Sequence, residues 1–136
     1  MYETFEHTAD LGLRVSSETL EGLFVDAARG MFAMIVPELT SVELRQTVPV
    51  TLKADQSDYL LFDWLNELLY RFDAQRLLLA GFEVTLDENG LSALAQGEVY
   101  DPLRHQLEHE VKAVTYHGLS LKETDKGWEA ELIVDI

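Results

Sequence analysis

The sequence predicts an α+β fold in one domain spanning 1–136, with two principal helices packed on mainly antiparallel β-structure. Three observations lead there. Two stretches in the first 75 residues carry apolar side chains at helical spacing, and two later pairs of alternating segments are each centred on turn residues. The length of 136 residues suits one domain with its own core, and no repeat, low-complexity tract or long linker divides it. Helices early and strands late argue for α+β over a strict βαβ alternation.

The elements follow in order. Residues 4–7 and 11–15 read as two short strands, the second alternating Leu11, Leu13 and Val15 with Gly12 and Arg14, and Ala9-Asp10 falls at their junction. Ser17 is a candidate helix cap with Glu18 in the first turn. Leu20, Leu23, Phe24, Ala27, Ala28, Met31, Phe32 and Ile35 keep one helical face, and Pro37 closes the helix. Residues 42–54 alternate in part through Val48, Val50 and Leu52, with Pro49 pointing to an edge or a bulge. Asp58 is a candidate cap for a second helix whose apolar face includes Leu61, Trp64, Leu65, Leu68 and Phe72. Residues 82–86 and 91–100 form a hairpin about Asp87-Glu88-Asn89-Gly90, ended by Asp101-Pro102. Residues 111–122 and 128–134 form another about Asp125-Lys126-Gly127.

Composition narrows the function classes. There is no cysteine, so no disulfide, thiolate metal site or cysteine nucleophile. The N-terminal residues lack a basic start followed by an apolar core, and no run approaches the roughly 18 apolar residues of a membrane helix. A cytoplasmic chain with no membrane partner is expected. The net charge is −15, and the ten basic residues are scattered, so strong direct nucleic-acid binding is not expected. Such a field favours encounter with a basic protein surface and retention of cations, or serves solubility alone. Neither a phosphate-binding Gly-rich loop nor a dinucleotide fingerprint occurs.

Carboxylates at both ends of the chain are the first candidates for chemistry. Asp10 and Asp135 can supply oxygen ligands, and the terminal carboxylate of Ile136 can add another. Hard cations such as calcium accept such donors from distant segments in irregular geometry. The alternative is that a turn Asp beside a His serves as a local hydrogen-bonding device. His7 is either a proton-transfer or metal-binding imidazole or, as we favour, a strand-end residue satisfied by the backbone. Lys112, in an alternating segment, can reach a phosphate or carboxylate, or guard an edge strand. His105, His109 and His117 lack ligand spacing for zinc. Asp63 and Glu67, four apart, share a helical face with Asp58 and Asp73 nearby. That face reads as solvated, or as an approach surface for a basic partner.

Several segments together resemble the archease family: His7-Thr8-Ala9-Asp10-Leu11-Gly12, the helix of residues 20–28, Leu60-Leu61-Phe62-Asp63-Trp64-Leu65-Asn66-Glu67-Leu68-Leu69, residues 110–117, and the stretch from Trp128 to Ile136. The first, the last and Val111-Lys112-Ala113-Val114-Thr115-Tyr116-His117 are the specific ones. Leu11 stands where isoleucine is expected and Val111 in a variable aliphatic slot, both conserving volume. The resemblance implies an α+β accessory protein of RtcB-type tRNA-splicing RNA ligases, promoting guanylylation of the ligase histidine by GTP and multiple turnover while the ligase joins the RNA. It also implies a divalent-metal site mapping onto Asp10, Asp135 and Ile136, with calcium the expected ion and magnesium or manganese alternatives. Lys112 matches a motif lysine and is a function-supporting candidate. The competing readings are a stand-alone metal-dependent hydrolase, with Asp10 and Asp135 positioning water, and a chaperone-like binding module using exposed apolar surface.

Overall fold

The computed structural model describes residues 1–7 and 10–136, the side chain of His7 excepted. The expectations for Thr8, Ala9 and the His7 imidazole therefore lie outside the described residues.

Chain order among the described residues is β1 (Tyr2–His7), β2 (Asp10–Ser17), α1 (Leu20–Ile35), β3 (Gln46–Leu52), α2 (Ser57–Gln75), β4 (Leu77–Asp87), β5 (Gly90–Val99), β6 (Ala113–Thr124) and β7 (Gly127–Asp135), with a single 3₁₀ turn at Leu39–Ser41. The strands form two antiparallel sheets, β1-β2-β7-β6 and β3-β5-β4. Both helices pack against them, as the apolar stripes require. Leu13 and Val15 of β2, Ala130, Leu132 and Val134 of β7, and Leu77, Leu78 and Leu79 of β4 close one core with Phe24, Phe32, Leu61 and Trp64. Trp64 is fully buried, and its Nε1 donates to the carbonyl of Phe24 at 3.0 Å, so the largest core side chain also ties α2 to α1. No described helix is long and apolar enough to cross a membrane.

Several boundaries differ from expectation for local reasons. Asp10 is the first residue of β2, paired with His7 and Asp135, and β1 begins at Tyr2. Ser17 is still in β2, opposite Trp128; the cap of α1 is Thr19, whose Oγ1 accepts from the Gly22 N–H at 3.0 Å. Asp58 lies inside the first turn of α2 and does not cap it. The capping position is Gln56, which makes no side-chain bond, while Asp58 Oδ1 accepts from the Tyr59 N–H at 2.9 Å. The segment before β3 is drawn away from the strand because the Glu43 N–H donates to Glu98 Oε2 at 2.7 Å. Pro49 pairs with Leu94 on the edge strand of its sheet, without a bulge. β4 extends five residues before Phe82 because Leu77, Leu78 and Leu79 are all buried, a pattern that alternation cannot reveal. β6 starts at Ala113, after the buried Val111 and exposed Lys112, and its pairing with β7 shifts between Thr115 and Ser120.

Candidate functional site

The two-ended assembly forms at one end of the four-stranded sheet. Asp10 opens β2, Asp135 closes β7, and antiparallel pairing sets them directly opposite each other. Directly opposed residues present their side chains on one face, with Cβ atoms about 4.5–5.5 Å apart. That face is the one opposite the core, since Leu13, Val15, Leu132 and Val134 take the inward positions. Asp10 and Asp135 are both half-buried, and so is Ile136. The backbone of Lys112 joins the group: its N–H donates to the Asp135 carbonyl at 2.8 Å, while its side chain is exposed. Asp10, Lys112, Asp135 and Ile136 thus gather in one neighbourhood.

The same sheet supplies an internal comparison. Arg14 faces Glu3 on one side and Glu131 on the other, with side-chain hydrogen bonds of 2.7 and 3.3 Å, and Lys122 faces Glu129. Among the described residues, Asp10 opposite Asp135 is the only facing pair of like charge. Like charges directly opposed destabilise a sheet. A cation between them reverses the sign of that contribution, and hard carboxylate oxygens are the donors calcium or magnesium takes. The residues therefore fit a hard divalent cation. Among the described residues no group of three or more His, Cys, Asp and Glu side chains converges, so Asp10 and Asp135 are the two side-chain donors the described residues bring together here.

One wall of this end depends on a relationship that the sequence does not announce. Two positions along β2 from Asp10, Phe5 pairs with Gly12, and a Cβ on Gly12 would lie 2.1 Å from the Phe5 ring. Glycine lets the ring lie across β2, with the Arg14 guanidinium 4.8 Å from the ring centroid.

A second polar centre also escaped sequence reasoning. Glu98 and His105 are both buried. Glu98 accepts from the Glu43 N–H, from His105 Nε2 at 2.9 Å and from Arg104, while His105 Nδ1 accepts from the Asp101 N–H at 2.9 Å. Since Nδ1 accepts, Nε2 carries the proton and donates to Glu98. Burial pushes the Glu98 carboxyl up, but the Glu43 N–H, Arg104 and His105 outweigh it and hold it at about 2, down from 4.5. The segment after this anchor is tied to α1 through Glu108 N–H to Ile35 O and His109 N–H to Met34 O, and then reaches Lys112 and Asp135. The centre serves to fix that connection. Glu43 and Glu98 lie 55 positions apart, so no local motif marks it.

Residues 2–136 match the model of the Archease protein family (MTH1598/TM1083). Protein archease of Methanopyrus kandleri is 40% identical over 139 residues, covering 99% of each chain. Protein archease of Methanosarcina mazei is 42% identical over 141 residues, covering 99% of this chain and 95% of the relative. The solution structure of Methanobacterium thermoautotrophicum protein 1598 superposes with a TM-score of 0.82 at 31% identity, covering 99% of this chain and 98% of that one. A Thermotoga maritima structure, described as an archease and possible chaperone, shares the fold at a TM-score of 0.69 and 18% identity, covering 100% of this chain and 98% of that one. With the family model matched almost end to end and such relatives along nearly their whole lengths, the chain belongs to the archease family.

Proposed function

We propose that this chain is a non-catalytic protein cofactor of an RtcB-type RNA ligase in tRNA splicing or RNA repair. It promotes guanylylation of the ligase histidine by GTP and sustains multiple turnover, acting through a divalent cation held by Asp10, Asp135 and Ile136. The observation that carries the reading is the like-charge pairing of Asp10 with Asp135 in a sheet whose other facing charges are opposite, in a member of this family.

Calcium is the ion this donor set favours, because it tolerates irregular oxygen geometry; magnesium and manganese are the alternatives. When bound, the cation supplies positive charge that stabilises phosphoryl transfer in the partner's nucleotide pocket. The chain's own residues do the remaining work. Asp10 and Asp135 present their carboxylates from the ends of two hydrogen-bonded strands, which limits their motion. Lys112, exposed and tied by its backbone to Asp135, offers a point charge to a phosphate or carboxylate of the partner. The acidic field, −15 overall, favours encounter with a basic protein surface over direct contact with RNA phosphates. A protein partner agrees with the description of the Thermotoga maritima relative as a possible chaperone. On this reading the chain works in the cytoplasm beside the ligase, which supplies the joining chemistry.

The test is ligation of a 3′-phosphate RNA by a cognate RtcB-type ligase under multiple-turnover conditions, with and without this protein. Wild type sustains turnover and Asp10→Ala does not. Equal turnover with either protein removes the metal component, and no stimulation by wild type removes the whole reading.

A further inference from the structure

Three residues along β6 from Ala113, the residue paired with Asp135, an aromatic pair stands partly open to solvent. Tyr59, in the first turn of α2, and Tyr116, in β6, stack with ring centroids 5.0 Å apart and planes within 6°. They are 47% and 41% exposed, so close to half of each residue stays open to solvent. It is nonetheless held firmly. Phe62 meets the Tyr116 ring edge-on at 5.6 Å, and the Tyr116 hydroxyl donates to Asp58 Oδ2 at 3.0 Å, while Asp58 Oδ1 accepts from the Tyr59 N–H. Rings fixed before a partner arrives lose little entropy on binding, and exposed tyrosines of this kind are common binding anchors.

The surroundings select the partner's chemistry. Asp63 is exposed one helical turn after Tyr59 on the same face of α2, with Asp58 beside both rings. The one arginine of α2 and the one lysine of β6 are engaged, Arg71 with Glu67 at 3.1 Å and Lys122 with Glu129 at 3.9 Å, while exposed Lys112 stands just before β6. Tyr116 also lies where β6, an edge strand, leaves its register with β7 between Thr115 and Ser120, and Gly118 takes φ 81° there. This departure brings Tyr116 out beside α2. Electron-rich ring faces among carboxylates suit a guanidinium, which stacks on tyrosine and pairs with aspartate. They disfavour a phosphate backbone, and the net charge of −15 opposes a second copy of this chain.

We propose that the Tyr59–Tyr116 stack with Asp58 and Asp63 is a docking face for an arginine on a basic protein surface, separate in role from the carboxylate end. Resting on the function proposed above, this assigns the face to ligase affinity and leaves maximal stimulation to Asp10 and Asp135.

The experiment titrates wild type, Tyr59→Ala, Asp63→Lys and Asp10→Ala against the RtcB-type ligase without RNA, reading binding by calorimetry and ligase guanylylation by GTP in parallel. Circular dichroism verifies folding; both docking positions are exposed, so these variants keep the wild-type spectrum. Tyr59→Ala and Asp63→Lys each raise the half-saturating concentration about tenfold or more while preserving the plateau at saturation. Asp63→Lys also weakens the salt dependence of binding. Asp10→Ala lowers the plateau instead. Unchanged half-saturation in both docking variants overturns the face while leaving the function reading intact, and absence of binding and stimulation by wild type overturns both. If Tyr59→Ala instead weakens only binding of single-stranded RNA, or a concentration-dependent dimer seen in sedimentation, the arginine assignment is overturned in favour of a stacked base or a second copy.

Discussion

His105 donates from Nε2 to Glu98 Oε2 at 2.9 Å inside the protein, where both residues are only 3% exposed. Because the Glu98 carboxyl is held at about 2, against an ordinary 4.5, the unfolded chain takes up the proton first as pH falls. The stability this group contributes is therefore full above about pH 4.5 and is lost progressively towards pH 2, by on the order of 3 kcal/mol. Glu98→Gln should flatten the fall in unfolding free energy across that window relative to wild type. Denaturant unfolding at a series of pH values measures it, and parallel curves for the two proteins would contradict the assignment.

Gly12→Ala should destabilise the chain by about 1–3 kcal/mol, because the new methyl would occupy the space of the Phe5 ring. The paired substitution Phe5→Ala/Gly12→Ala should recover part of the loss, since it removes the clash. A thermal-unfolding double-mutant cycle checks this; additive losses would show that Phe5 and Gly12 are not coupled.

Replacing one of two opposed carboxylates should have opposite consequences with and without a cation. In chelator, Asp135→Asn should be neutral or stabilising by about 0.2–1 kcal/mol, as a like-charge pair is relieved. With millimolar calcium, wild type should melt higher than in chelator, and Asp135→Asn should lose most of that rise. Melting curves in both conditions settle the matter, and a variant that keeps the full calcium response would place cation binding elsewhere.

The fold class was legible because period-3.6 stripes and turn-centred alternation are local signals, and both helices and both hairpins follow from them. The limits of elements were less legible where tertiary contacts override local cues. Ser17 looks like a cap but is held in β2 by pairing with Trp128, and Leu77, Leu78 and Leu79 conceal a strand because both faces are buried. Asp10, Asp135, Ile136 and Lys112 were singled out from the resemblance and from the chemistry of carboxylates near both ends of the sequence. Their facing register belongs to strand pairing across 125 positions and could not be read locally. Glu98 with His105 and Phe5 with Gly12 left no sequence signal, since each depends on which residues the sheets bring together.

The most direct measurement of the central claim is the rate of single-turnover guanylylation of the RtcB-type ligase by GTP, with wild type, Asp10→Ala or Asp135→Ala at saturating concentration. Wild type should accelerate the step, while each variant, folded and bound to the ligase, should leave it near the rate of ligase alone. Acceleration by both variants equal to that of wild type would contradict the account.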